Sequence, residues 1–130
     1  GKQEWQTNVH IRSNFPTRVL LPQPGSLRRL IQLVDLCDVV LTGDTLALHI
    51  ACGLKKRVVA LFGPTSSAEI DLYGRGTKIV PNIECICCYK ERCDRHPNCM
   101  DLISVETVFN AVTEQLLCAA PVHAVAKSKK

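Results

Sequence analysis

Two glycine-containing segments carry hydroxyl side chains where they could hold an anion: residues 42–45 (Thr-Gly-Asp-Thr) and 63–66 (Gly-Pro-Thr-Ser). The first runs directly into a predicted helix, whose free backbone N–H groups and dipole favour a phosphate. Ordinary turn and cap chemistry uses the same residue types. The pattern alone therefore leaves open both a phosphate site and a plain helix cap.

His49 follows Asp44 by five residues, near the first turn of that helix. A lone histidine in an apolar helix is usually a core residue. Beside an anion site, however, an imidazole can donate a hydrogen bond to phosphate or titrate near neutral pH. Both interpretations of His49 stay open at this point.

Cysteines form the second group of candidate residues, and five of the eight lie in residues 85–99. The spacing of Cys85, Cys88, Cys93 and Cys99 is one that a tetrahedral zinc ion could accept. There is a single Cys-x-x-Cys pair, so buried reduced thiols and a facultative disulfide remain alternatives. A structural zinc ion is the only metal that the sequence suggests.

The elements around the first segment predict a βαβ unit. The apolar run of residues 38–42 is typical of a strand buried on both faces. A helix to Cys52, expected to be buried nearly all round, and a second strand at residues 57–62 follow. Two strands joined in this way are parallel, and ligands bind beyond their carboxyl ends. Both glycine-containing segments should therefore lie at one edge of the sheet.

The remaining elements are predicted from caps and hydrophobic spacing. We expect helices at 3–14, at 26–36 after a Ser26 cap and after Ser104, strands at 18–21 and 77–80, a helical turn at 68–73 and a Cys-rich loop at 81–100. The apolar stripe predicted for the last helix consists of Val105, Val108, Phe109, Val112 and Leu116. Residues 55–57 are expected to form a solvated turn at the amino edge of the sheet, with Arg75 and Lys90 nearer the carboxyl edge.

Composition narrows the class of protein. The chain has 130 residues and a net charge of +4. Three lysines lie in an acid-free tail, so the body is nearly neutral and a nucleic-acid partner is not expected. No apolar run reaches the roughly 18 residues of a membrane helix. Without a visible export signal, we expect reduced thiols and a cytoplasmic location.

Residues 36–76 resemble the nucleotide-binding half of the heptosyltransferases of glycosyltransferase family 9. The motifs behind the resemblance are Asp-Thr-x-x-x-His at 44–49 and Phe-Gly-Pro-Thr at 62–65. It implies an α/β fold, a Rossmann-like parallel sheet with flanking helices, forming the C-terminal part of a GT-B glycosyltransferase. Such an enzyme transfers a sugar from a nucleotide diphosphate, typically ADP-heptose, to the inner core of lipopolysaccharide.

The resemblance implies roles for four residues around the predicted helix start. The backbone N–H groups of Thr45 and Leu46 would cradle the diphosphate. Asp44 and His49 would orient the phosphate and sugar end. The family often has glycine where this chain has Leu46, so the approach of the ligand or the identity of the sugar is expected to differ.

The resemblance also implies roles for five residues farther along the chain. Glu4 would reach the ribose, although a solvated glutamate in a first helical turn is the alternative. Gly25 and Ser26 would lie against the base. Pro64 and Thr65 would shape the neighbouring loop.

The expected domain is a partial donor-binding domain at residues 1–118, followed by a disordered basic tail at 119–130. In the family, the acceptor site and the proposed catalytic carboxylate lie in an N-terminal domain, so no catalytic residue is assigned here and the isolated chain should be inactive. No cofactor is required, and we expect peripheral association with the inner face of the cytoplasmic membrane. The competing hypothesis is a non-enzymatic α/β module whose zinc-binding Cys-rich loop docks a partner.

Overall fold

The computed structural model describes residues 4–119, so the tail predicted at 119–130 lies outside the described residues except for Ala119. The elements, in chain order, are α1 (Trp5–Asn14), α2 (Leu27–Asp35), β1 (Val39–Gly43), α3 (Leu46–Gly53), β2 (Arg57–Leu61), a short 3₁₀ turn (Ser67–Glu69), β3 (Gly76–Ile79) and α4 (Val105–Cys118). The chain divides into two compact units, Gly1–Leu30 and Ile31–Lys130.

The first unit contains α1 and the start of α2. The predicted helix at 3–14 is confirmed as α1, and Ser26 caps α2 by accepting a hydrogen bond from the Arg29 amide at 3.4 Å. The strand predicted at 18–21 is wrong, because this segment is turn and coil. The amides of Arg18 and Val19 donate to the Phe15 carbonyl in a turn that continues α1, so they are not used in a ladder.

The second unit is built on a parallel sheet in the order β1-β2-β3. Gly43 pairs with Leu61, and Leu61 pairs with Ile79. The predicted βαβ unit and the strand at 77–80 are therefore confirmed. With helices packed on the strands, the unit is an α/β, Rossmann-like arrangement, as the sequence predicted.

Alternate residues of β2 point to opposite faces of the sheet. Val59 packs in one cluster with Ile79 and with Ala111 of α4. Val58, one residue earlier and 1% exposed, faces the other way. The sheet thus has a covered apolar face on each side, and β2 forms the centre of the core.

Helix α3 buries only one face. Leu48 and Ala51 are fully buried, whereas Leu46 is 57% exposed. The prediction of burial on nearly all sides is therefore wrong. The reason is that α3 packs on β1 and β2, and β1 is the edge strand of the described sheet, so one side of the helix remains uncovered.

Helix α4 packs on the sheet through part of the predicted stripe, since Val108 and Val112 lie against the core cluster around Val59. Ser104 caps it as expected, accepting from the Thr107 amide at 3.1 Å. Ala111 and Gln115 are the buried residues, while Val105 and Phe109 are exposed. The buried side-chain amide of Gln115 has two partners on the sheet, because it accepts from Arg57 of β2 and donates to Thr77 of β3, both at 3.0 Å.

Lys55 lies two residues after the end of α3 and has a left-handed backbone conformation, with φ of 58°. Its amide donates to the Cys52 carbonyl, and the Lys56 amide reaches back to Ala51 at 2.9 Å. This pattern normally takes glycine at the left-handed position. The predicted helix end at Gly53 is confirmed, but the residue with the unusual backbone is Lys55.

Lys55→Gly is expected to raise the free energy of unfolding by about 1 kcal/mol, because glycine adopts a positive φ without steric penalty. Chemical denaturation monitored by circular dichroism measures the change. Lys90→Gly is the control, since Lys90 is not among the left-handed residues of the described chain. A Lys55→Gly protein that unfolds at lower denaturant than the wild type would contradict the strain assigned to this residue.

Candidate functional site

The two glycine-containing segments leave the sheet side by side. Gly43 and Leu61 are paired at the ends of β1 and β2, so residues 44–45 and 63–66 both follow the carboxyl ends of parallel strands. The prediction that they share one edge of the sheet is confirmed. This carboxyl edge is where open parallel sheets bind their ligands.

Thr45 is the N-cap of α3, with extended backbone. Its side chain makes no capping hydrogen bond, because its hydroxyl lies 2.9 Å from the Thr42 hydroxyl. Leu46 is the first helical residue. The Leu48 amide donates to the Thr45 carbonyl at 3.0 Å, but the N–H groups of Leu46 and Ala47 precede the first helical hydrogen bond, and the Thr45 side chain does not cap them. They form a donor surface at the positive end of the helix dipole.

Asp44 and His49 lie together beside this helix end. Asp44 Oδ1 is 4.0 Å from His49 Nε2, and the His49 side chain is 61% exposed. The interpretation of His49 as a core residue is therefore wrong. An exposed imidazole next to a carboxylate and a helix N-terminus can donate a hydrogen bond to an anion.

The segment after β2 is held by the Cys-rich loop. The Cys87 amide donates to the Gly63 carbonyl at 3.0 Å, and the Tyr89 amide donates to the Pro64 carbonyl at 2.8 Å. The Cys87 thiol also approaches the Thr65 carbonyl at 3.7 Å. The Cys-rich loop thus holds the backbone of Pro64 and Thr65, and their role beside a donor stays a prediction.

Gly63 is needed for close packing at the same place. A Cβ atom at this position would lie 2.6 Å from Cys99 Sγ and 3.2 Å from Met100 Sδ. Sequence reasoning assigned Cys99 to a zinc ligand set and gave Cys87 no role. The structure places both against the Gly63–Thr65 segment, and the spacing of cysteines carried no signal for this contact.

Tyr89 connects the Cys-rich loop to the 3₁₀ turn. Its hydroxyl donates to Glu69 Oε1 at 2.5 Å. This hydrogen bond to a carboxylate raises the pKa of Tyr89 above its usual 10.0, since ionising the phenol would place two negative charges in contact. The contact is therefore formed below about pH 10 and is lost when the phenol ionises.

The four cysteines predicted to bind zinc are not gathered by the structure. All eight cysteines are free thiols. Within residues 4–119, no three His, Cys, Asp or Glu side chains are arranged to hold a metal ion. Cys88 and Cys93 are exposed, whereas Cys85 and Cys99 are partly buried. Zinc binding by Cys85, Cys88, Cys93 and Cys99 stays a prediction.

Metal analysis of the protein purified under reducing conditions tests this prediction. Zinc bound by the four thiols would give about one metal ion per chain, and a chelator would lower the melting temperature because metal binding is coupled to folding. Metal-free protein whose melting temperature is unchanged by a chelator would leave these cysteines as packing residues.

Three of the predicted donor-site residues belong to the first unit. Glu4 precedes α1 without a side-chain capping bond, Ser26 caps α2, and a Cβ at Gly25 would meet the Arg29 side chain at 2.5 Å. Their predicted roles at a ribose and a base are not tested by these local contacts.

Arg75 lies at the opposite edge from the one predicted. It directly precedes β3, and its carbonyl accepts from the Val58 amide at 3.0 Å, so it is at the amino edge. The prediction failed because β3 begins at Gly76. Lys90 follows Tyr89 in the Cys-rich loop and lies 4.0 Å from Asp94.

The model of glycosyltransferase family 9 (heptosyltransferase) matches residues 3–98. The chain belongs to glycosyltransferase family 9. The match covers the carboxyl-edge residues Asp44 to His49, the Gly63–Thr65 segment and most of the Cys-rich loop. The resemblance inferred from the two motifs is thereby confirmed.

Two curated relatives of this chain are named lipooligosaccharide heptosyltransferase 2. One, from Campylobacter jejuni serotype O:6, is 28% identical over 90 residues, which cover 67% of this chain and 28% of the relative. The other, from serotype O:2, is 28% identical over 86 residues, or 64% of this chain and 27% of the relative. The chain thus spans less than a third of the length of these relatives. No solved structure matches it significantly.

Within the described residues 4–119, no helix has the length and apolar character needed to span a membrane.

Proposed function

We propose that the chain is the donor-binding part of a glycosyltransferase that uses a nucleotide diphosphate sugar, of the ADP-heptose type. The observation that supports this most is the Asp44–His49 pair beside the uncapped start of α3, within the region matched by the family model. The relatives' name supports a heptose as the sugar and a lipooligosaccharide core as the acceptor.

The diphosphate is bound by the N-terminus of α3 in this proposal. The backbone N–H groups of Thr45 and Leu46 donate to the phosphate oxygens, and His49 adds a hydrogen bond from its exposed ring. Sugar transfer leaves a nucleoside diphosphate, on which negative charge develops as the glycosidic bond breaks. Donors fixed before the reaction stabilise that charge without reorganisation. Asp44 orients the His49 ring and contacts the sugar.

The remaining predicted residues take their proposed roles from the family resemblance alone. It assigns Glu4 to the ribose hydroxyls, and Gly25 and Ser26 to the base. Pro64 and Thr65 border the sugar end, in a segment that the Cys-rich loop fixes through Cys87 and Tyr89.

The acceptor, the catalytic base and the membrane contact belong to the larger enzyme. We propose a GT-B arrangement in which this Rossmann-like domain faces an acceptor-binding domain, at the inner face of the cytoplasmic membrane. The short share of the relatives' length that the chain spans supports this division. The competing hypothesis of a zinc-dependent docking module has no support from the comparisons.

The 130-residue chain by itself is expected to transfer no sugar, because it spans less than a third of the length of the relatives and the acceptor site is proposed to lie in the remaining part of the enzyme. The measurement is transfer of heptose from an ADP-heptose donor to a lipid A–Kdo acceptor by the purified chain. Robust turnover would show that the chain contains a complete active site.

The proposed donor site is tested by calorimetric titration of the chain with ADP and ADP-heptose. Saturable binding of about one nucleotide per chain supports the assignment. Absence of binding for every nucleoside diphosphate would remove it.

A further inference from the structure

A cavity of about 310 Å³ lies at the amino edge of the sheet, away from the proposed donor site. Four cations line it: Lys55, Lys56, Arg57 and Arg75. One acidic residue, Asp38, is among the lining residues. The lining of this amino-edge cavity therefore carries an excess of positive charge, which favours an anionic guest.

Two of the four cations already have partners. Lys56 Nζ lies 3.0 Å from Asp35 Oδ1. Arg57 donates to the Gln115 side chain at 3.0 Å. These contacts tie α2 and α4 to the start of β2, so Lys56 and Arg57 contribute charge to the cavity while their geometry serves the fold.

Lys55 and Arg75 differ from that pair. Across residues 4–119, neither side chain makes a hydrogen bond or an ion pair with another residue. Arg75 Nε is buried without a hydrogen-bond partner in the described part of the chain. A buried guanidinium nitrogen without a partner requires an explanation, since nearly all such groups are satisfied in native proteins.

The local backbone holds Arg75 in place. Its guanidinium lies over the Tyr73 ring, 5.5 Å from the ring centroid. The Arg75 amide donates to the Leu72 carbonyl at 2.9 Å, which closes a tight turn with Tyr73 and Gly74 at positive φ. A planar guanidinium fixed in this way is suited to bind phosphate oxygens through two N–H groups.

We infer that the amino-edge cavity binds a phosphate group, held by Arg75 and Lys55 in the field of Lys56 and Arg57. A second cavity, of about 470 Å³, is also lined by Lys55 and Arg75, together with His49 and Tyr73, but Glu69 and Asp71 line it as well. Those two carboxylates disfavour an anion, so the amino-edge cavity is the better of the two places. The inference is independent of the proposed donor site.

The first test is calorimetric titration of the full chain with inorganic phosphate. Arg75→Gln should weaken binding by about tenfold or more, since a charge-assisted hydrogen bond is lost. Lys55→Gly should also weaken binding without lowering the melting temperature, which separates the loss from unfolding. Arg92→Gln, at an exposed arginine of the Cys-rich loop, is the matched control and should bind as the wild type does.

The same titration of His49→Ala distinguishes the two ends of the sheet. If phosphate binds at the amino-edge cavity, its affinity is unchanged in His49→Ala and weakened in Arg75→Gln. Phosphate at the donor site would show the reverse, and that result would overturn the inference while supporting the proposed function.

A vesicle experiment identifies the source of the phosphate group. Phosphatidylcholine vesicles with and without phosphatidic acid are mixed with the same variants and sedimented. Binding that needs phosphatidic acid and Arg75 assigns a lipid headgroup, and binding of free phosphate alone assigns a soluble ligand. Failure of the wild type to bind either probe, or equal binding by Arg75→Gln, would overturn the inference.

Discussion

His49→Ala is expected to weaken binding of ADP and ADP-heptose by about tenfold or more. The imidazole is exposed and lies 4.0 Å from Asp44 at the start of α3. A hydrogen bond to a charged phosphate contributes roughly 1.5–3 kcal/mol, which corresponds to at least about one order of magnitude in affinity. Calorimetry on the folded chain measures the change directly.

His10→Ala is the matched control for this substitution. His10 is an exposed residue of α1 that contacts Asn14, and it is not among the residues assigned to the donor site. The His10→Ala variant should have the same dissociation constants for ADP and ADP-heptose as the wild type. Equal affinity of the wild type and His49→Ala would exclude His49 from the site, while the rest of the donor assignment would still depend on ADP binding.

Asp44→Ala separates the diphosphate from the sugar end. The Asp44 carboxylate is expected to act on the sugar and on the orientation of His49, so the loss should be greater for ADP-heptose than for ADP. Equal losses for the two ligands would contradict a contact between Asp44 and the sugar.

Local sequence signals predicted most of the second unit. The apolar runs at β1 and β2 are continuous, and residues 43 and 63 end them with glycine. These features predicted that β1 and β2 pair in parallel, and therefore that residues 44–45 and 63–66 lie at the same edge of the sheet, as they do. Caps were equally informative, because Ser26 and Ser104 each accept a hydrogen bond from an amide of the helix that follows.

The errors came from contacts between residues distant in sequence. Periodicity predicted the apolar contacts of α4 only in part, and it did not predict that Gln115 is buried and hydrogen-bonded to Arg57 and Thr77. The 61% exposure of the His49 side chain depends on which face of α3 packs on β1 and β2, and the mostly apolar sequence of this helix does not reveal that face. Likewise, the hydrogen bond from the Cys87 amide to Gly63 could not be read from cysteine spacing.

Phe62→Ala is expected to lower the free energy of unfolding by about 3–5 kcal/mol. Phe62 is 1% exposed and is among the largest fully buried side chains of the chain. Its removal leaves a cavity that the surrounding strands fill only in part. For a domain whose total stability is about 5–15 kcal/mol, this is a large fraction. Urea denaturation followed by circular dichroism measures the loss.

Phe109→Ala provides the same chemical change at a residue that is 66% exposed, and its effect on the free energy of unfolding should stay within about 0.5 kcal/mol.

Because Phe62 directly precedes Gly63 and its amide donates to the Ile79 carbonyl at 2.9 Å, the cavity left by Phe62→Ala also loosens the carboxyl edge. Phe62→Ala should therefore weaken ADP binding even below its melting temperature, whereas Phe109→Ala should not. Equal stability of the two variants would contradict the placement of Phe62 in the core.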